Sequence, residues 1–141
     1  MFRNPDDNIL KSILKKSKNI AVVGLSENSE RDSYRVAEYL LKNGYRIIPV
    51  NPNAENILGQ KSYKDLASVP YKVDIVNVFR RSEHLPSIVE EAAGIKPECI
   101  WAQLGVVHGE AAEYAEKKGV HVVMDLCIKV EHQRLFGERN Q

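Results

Sequence analysis

Residues Asn19 to Pro52 restrict the possible folds more than any other stretch of the chain. Ile20-Ala-Val-Val23 is an unbroken apolar run. A run without alternation suits a parallel strand buried on both faces. Gly24 ends it and opens a polar loop, Leu25-Ser-Glu-Asn-Ser-Glu-Arg-Asp-Ser33. A helix begins near Asp32 or Ser33, with Val36, Ala37, Leu40 and Leu41 on one face. Asn43-Gly44 stops it, with Gly44 as a left-handed cap. Arg46 to Val50 is a second apolar strand. Asn51-Pro52 closes it, because proline has no N–H to give to a ladder. Together these segments make the first half of a βαβ unit.

The rest of the chain repeats the alternation. Asp6 or Asp7 caps a first helix whose apolar positions are Ile9, Leu10, Ile13 and Leu14. After Pro52, Ile57 to Tyr63 holds a turn and a very short edge strand, and Asp65 to Ser68 a single helical turn. Val73 to Phe79 is the third main strand, and Glu83 to Ala93 a helix with Pro86 in its first turn. Cys99 to Gln103, Gly109 to Lys118 and Val120 to Met124 read as strand, helix and strand. A last helix begins at Asp125 and packs Ile128, Val130 and Leu135, with Asp125 as its cap and Cys127 buried. Strands alternating with helices of this length imply right-handed crossovers. The expected fold is α/β: a doubly wound, mainly parallel sheet of about five strands with helices on both faces. The chain, residues 1–141, reads as one domain.

Composition excludes several function classes. Twenty basic and nineteen acidic residues leave a formal charge of +1, which supports neither nucleic-acid nor anionic-membrane binding through bulk charge. No apolar run reaches the roughly 20 residues that cross a bilayer. The N-terminal residues lack a signal-peptide apolar region, so a cytoplasmic location is expected. Two cysteines are too few for a disulfide framework.

In a doubly wound fold the ligand lies beyond the carboxyl ends of the strands. Those ends are Gly24-Leu25-Ser26, Asn51-Pro52, Phe79-Arg80-Arg81 and Gln103 to Val106. The first loop places backbone amides, Ser26, Arg31 and Ser33 at a helix N-terminus, which suits phosphate or diphosphate. A solvated loop with a serine cap is the bland alternative, and Glu27, Glu30 and Asp32 repel phosphate unless they point away. The loop holds one glycine, so it is not a GxGxxG fingerprint. NAD-binding domains end the second strand on an acidic residue, whereas this chain has Asn51-Pro52-Asn53. An amide both donates and accepts, so it tolerates phosphate or a purine edge. Phe79 beside Arg80 and Arg81 pairs an apolar surface with fixed cations, which suits a ligand with a phosphate-rich end and an apolar arm.

These segments resemble the small, single-domain coenzyme A-binding proteins, related to the N-terminal domain of the succinyl-CoA synthetase α subunit. The resemblance rests on Ile20-Ala-Val-Val-Gly-Leu-Ser26, Arg31-Asp-Ser33, Gly44-Tyr45, Pro49-Val-Asn-Pro52, Val76-Asn-Val-Phe-Arg-Arg81, Trp101-Ala-Gln-Leu-Gly-Val106 and Asp125-Leu-Cys-Ile-Lys-Val-Glu-His132. It implies a Rossmann-like domain that binds coenzyme A or an acyl-CoA. The diphosphate would lie on the first loop and the nucleotide near Asn51-Pro52, with the Phe79-Arg80 turn lining the same cleft. The synthetase's phosphorylated histidine belongs to a second domain, so that chemistry does not carry over.

No catalytic residue or metal site is expected. His84, His108, His121 and His132 have no evident nucleophile and orienting carboxylate around them in sequence. Cys127 and Glu131 share a helical face, whereas Cys127 and His132 lie five apart and do not. Two other functions stay open on this fold: an NAD(P)- or other nucleotide-dependent enzyme, and a structural or interaction domain with a vestigial cleft.

Overall fold

The computed structural model describes residues 2–137. Five parallel strands form the sheet, in the order β2-β1-β5-β6-β7. They are β1 (Asn19–Val23), β2 (Arg46–Val50), β5 (Ile75–Val78), β6 (Cys99–Ala102) and β7 (His121–Val123). The strand order reverses between β1 and β5, and that is the switch point of the fold. Helices α1 (Asp7–Lys16), α2 (Asp32–Lys42) and α5 (Ile128–Phe136) cover one face. Helices α3 (Leu85–Gly94) and α4 (Gly109–Lys117) cover the other. The expected doubly wound, Rossmann-like α/β architecture is therefore present.

The side-chain alternation of the strands builds the two cores. Ile20 and Val22 of β1 pack under α1 and α2, while Ala21 and Val23 face α3 and α4. Leu10, Ile13 and Leu14 of α1 are buried, each contributing about 1.5–3 kcal/mol of transfer free energy. Ile9 turns away and stays 38% exposed, so it is not part of the packing face expected for it. Asp6 caps α1 by accepting from the Ile9 N–H at 3.1 Å. Tyr45, just before β2, donates its hydroxyl to the Leu14 carbonyl at 2.6 Å and locks α1 to the sheet.

Three local differences from the sequence expectations have identifiable causes. Between β2 and β5 the chain makes an antiparallel hairpin, β3 (Asn56–Ile57) and β4 (Gln60–Lys61), rather than one edge strand. Its two-residue turn, Leu58-Gly59, has φ of 55° and 73°, the left-handed pair that matches strand twist. β5 begins at Ile75, and Asp74 just before it ties the start of β1 in place: its carboxylate accepts from the Lys18 and Asn19 amides, both at 2.9 Å. At the C-terminal end, Asp125 does not cap a helix. It sits at φ 62° and accepts from the Gly105 N–H at 2.7 Å, so it braces the loop after β6. α5 starts three residues later, with Cys127 as its N-cap residue. Cys127 is half-buried and packs against the edge of the core, whereas Val130 is 51% exposed and lies outside it.

Candidate functional site

The site is built at the switch point. Gly24 follows β1 with φ 87°, a conformation that only glycine adopts without strain. A Cβ there would lie 2.5 Å from the Phe79 carbonyl oxygen and 2.9 Å from Arg80 Cδ. The absence of a side chain thus lets the loop after β1 press against the turn after β5. The Phe79 N–H donates to the Val23 carbonyl at 2.8 Å, and the Gly24 N–H to the Val50 carbonyl at 3.1 Å, so the ends of three strands are stitched together.

A cleft of about 800 Å³ opens beside this junction, between α2, α5 and the loops after β5 and β6. Arg80, Arg81, Arg35 and Lys129 line it, against one carboxylate, Asp32. Phe79, Leu104, Val106, Val36 and Val130 supply apolar surface in the same cleft. Leu104 is 69% exposed, so the apolar wall is open to solvent. The cleft therefore combines cations with an apolar wall, and Phe79, Arg80 and Arg81 all line it.

The other expected residues are placed less uniformly. Leu25 is fully buried, and only its backbone serves the loop: its carbonyl accepts from Asn51 Nδ2 at 2.9 Å. Ser33 is buried and accepts from the Ser26 N–H at 3.0 Å, while Ser26 Oγ accepts from the Asn28 N–H at 3.0 Å. These two hydroxyls shape the loop. Arg31 is exposed, precedes α2 and makes no side-chain cap hydrogen bond. The acidic residues are partly neutralised, since Glu30 pairs with Arg35 at 3.6 Å. Asn51 holds the loop after β1 through Leu25 and also accepts from the Asn53 N–H at 2.8 Å. Asn51 and Pro52 border a second depression of about 450 Å³, lined also by Ala54, Glu55, Asn56, Lys61, Ser62 and Lys64. The structure thus brings Phe79, Arg80 and Arg81 into one cleft with the start of α2 and the α5 end of the chain, sets Asn51-Pro52 in a separate hollow at the end of β2, and leaves Gly24, Leu25, Ser26, Arg31 and Ser33 outside the lining of both.

Sequence reasoning missed the far wall. Lys129, Val130 and Gln133 of α5 and its N-cap residue Cys127 form that wall, although the sequence predicts only a packing role for this helix. Gln103 was legible as a strand end, but its part in the cleft was not. It is 7% exposed and accepts through Oε1 from Asn77 Nδ2 and the Ile128 N–H, both at 3.4 Å. The four histidines lie elsewhere. His108 caps α4 by accepting from the Ala111 N–H, and His132 pairs with the Tyr39 hydroxyl at 2.6 Å. Among the described residues no three His, Cys, Asp or Glu side chains gather as a metal site, and no helix is long and apolar enough to cross a membrane.

Comparison with known proteins gives a consistent picture. The CoA binding domain family matches residues 18–133. "Uncharacterized protein YneT" of Bacillus subtilis is 47% identical over 131 residues, covering 93% of this chain and 97% of that protein. The ADP-forming acetate–CoA ligase II of Archaeoglobus fulgidus is 32% identical over 127 residues, which cover 87% of this chain but 19% of the ligase. A solved structure of a hypothetical protein from Pyrococcus horikoshii OT3 superposes with a TM-score of 0.91 at 34% identity, covering 97% of this chain and 99% of that one. The family match runs from just before β1 to the last turns of α5, and the chain belongs to the CoA binding domain family.

Proposed function

We propose that the chain binds coenzyme A or an acyl-CoA across the carboxyl ends of its strands, without catalytic machinery for a reaction of the whole ligase kind. One observation carries the reading: the cleft at the switch point holds Arg80 and Arg81 directly beside the apolar wall of Phe79, Leu104, Val106 and Val130. CoA is a ligand of that composition, anionic at one end and carrying a long, weakly polar arm. In this reading the pantetheine arm runs along the apolar wall. The diphosphate lies over the loop from Gly24 to Ser33, where Arg31 and the first amides of α2 attract negative charge. The nucleotide reaches the hollow at Asn51-Pro52, where Lys61 and Lys64 face the phosphorylated ribose. The lack of a carboxylate at Asn51-Pro52-Asn53 argues against NAD, whose ribose hydroxyls need an acceptor.

A thermal-shift panel with CoA, acetyl-CoA, dephospho-CoA, NAD and ADP tests the reading. A ligand that binds only the folded state stabilises it by about 2.7 kcal/mol at 100 times its Kd. CoA or acetyl-CoA is expected to give the largest shift and NAD a small one. No shift with any of the five at millimolar concentration would remove the nucleotide readings together.

A further inference from the structure

Asn77 breaks the apolar pattern of the strand that carries it. β5 is the middle strand of the sheet, and Asn77 is fully buried there, in register with Val22 of β1 and Trp101 of β6. An amide in such a place costs free energy unless its hydrogen bonds are made. Nδ2 makes two, to the Trp101 carbonyl at 3.1 Å and to Gln103 Oε1 at 3.4 Å. These two oxygens fix the orientation of the amide, because Oδ1 in the same place would meet only acceptors. Among the described residues Oδ1 is buried and has no partner. An apolar side chain would avoid that penalty, so the amide is explained by what its nitrogen holds and not by stability.

The two residues that Asn77 holds are the two that hold the entry to α5. Trp101 donates Nε1 to the Leu126 carbonyl at 2.9 Å, and Gln103 accepts the Ile128 N–H through Oε1 at 3.4 Å. Cys127 gives α5 no side-chain cap, so Gln103 supplies from the end of β6 the acceptor that a cap residue otherwise provides. The far end of the helix is fixed separately, by Arg134 on Asp7 and His132 on Tyr39. Lys129, Val130 and Gln133, which line the cleft, lie between Ile128 and Arg134.

We infer that Asn77 is a positioning residue for the ligand of the cleft: through Trp101 and Gln103 it holds the start of α5, so that Cys127, Lys129 and Val130 stand as a fixed wall. The inference rests on the CoA-binding reading, which lays the ligand against that wall. Asn77 does not line the cleft and acts through its two partners. A wall already in place needs no ordering when the ligand arrives, and ordering costs affinity. Without the Asn77 amide, Gln103 is free to leave its rotamer and the Ile128 N–H loses a fixed acceptor. The first turn of α5 then frays, and the ligand has to order it again.

The test makes Asn77→Val and Gln103→Met, singly and together, in the full chain. Each protein is followed by calorimetric titration with CoA, by amide hydrogen exchange without ligand and by thermal unfolding. Asn77→Val removes the orphaned oxygen together with the donor, so its melting temperature should hold or rise. Its CoA affinity should nevertheless fall at least about threefold. Exchange at Ile128 and Lys129 should quicken, while Ile13 and Leu14 in α1 keep the parent rate. Gln103→Met should act in the same direction, and the double variant should bind no more weakly than the weaker single one, because both break one connection. An Asn77→Val affinity within about twofold of the parent overturns the inference, as do losses that multiply in the double variant. If Asn77→Val melts lower, quickening confined to the start of α5 supports the inference and uniform quickening across the fold overturns it. No heat from CoA with the parent chain overturns the CoA-binding reading instead, and exchange at Ile128, which needs no ligand, tells the two failures apart.

Discussion

Gly24 and Phe79, 55 residues apart, meet so closely that a methyl group on Gly24 would stand 2.5 Å from the Phe79 carbonyl oxygen. The loop after β1 and the turn after β5 are in direct backbone contact for this reason. Gly24→Ala adds a side chain at φ 87° and forces the two loops apart. The strained backbone alone costs about 1–3 kcal/mol. Thermal unfolding should show at least that loss, and CoA affinity should fall with it because Arg80 moves. A Gly24→Ala protein with unchanged melting temperature would mean that the two loops are not mechanically joined.

Arg80 and Arg81 are two of the four cations that line the cleft, and Arg31 is the exposed residue just before α2. Replacing a charge-assisted phosphate partner by alanine costs about 1.5–3 kcal/mol. Arg80→Ala, Arg81→Ala and Arg31→Ala should each weaken CoA by that order in a calorimetric titration. Full affinity in Arg31→Ala would place that guanidinium in solvent and shift the diphosphate toward Arg80.

Tyr45 ties α1 to the sheet through its hydroxyl, and burial, with the neighbouring Tyr39 charge adding to it, pushes its phenol up to about 12. The native state therefore favours the neutral phenol. Its stabilising contribution is complete below pH 10, the ordinary value, and is lost as the pH rises toward 12. Tyr45→Phe leaves the Leu14 carbonyl without this donor and should cost about 1–3 kcal/mol at neutral pH. The same variant should lose less stability than the parent between pH 10 and 12, measured by denaturant unfolding.

Arg134 clamps α5 to α1 by gripping both carboxylate oxygens of Asp7, at 2.7 and 2.9 Å, while also pairing with Glu131 at 2.7 Å. The guanidinium hydrogen bonds hold the Asp7 carboxyl below its ordinary 3.8. A depressed carboxyl stabilises the fold above its ordinary value, and that contribution disappears as the pH falls through the depressed one. Acid unfolding should therefore be less steep below pH 3.8 in Arg134→Gln than in the parent. Parallel acid limbs would show that the clamp adds nothing.

The local pattern revealed the sheet well. β2 runs from Arg46 to Val50 as expected, because Gly44 and Asn51-Pro52 bracket it with strong punctuation. The cationic turn Phe79-Arg80-Arg81 was legible for the same reason: a strand end followed by charge. What could not be read was partnership across the chain. Nothing near Gly24 announces that Phe79 lies against it. Asp125 stands where a helix cap is expected, yet its carboxylate is taken by the Gly105 amide from another loop. Val130 stands two positions after the buried Ile128, and residues two apart on a helix do not share a face, so Val130 points away from the core it was expected to join. Pro52 is adjacent to Asn51 as foreseen, but the hairpin of β3 and β4 gives that strand end its own hollow, separate from the arginine cleft.

The central claim is that one ligand, coenzyme A, fills the cleft beside Arg80 and Arg81. Isothermal titration of the full chain with CoA, run beside NAD and beside the Arg80→Ala, Arg81→Ala double variant, tests it most directly. The account predicts saturable one-to-one binding of CoA, much weaker binding of NAD, and loss of at least about tenfold in CoA affinity in the double variant. Absence of CoA binding, or undiminished binding when both arginines are gone, would contradict it.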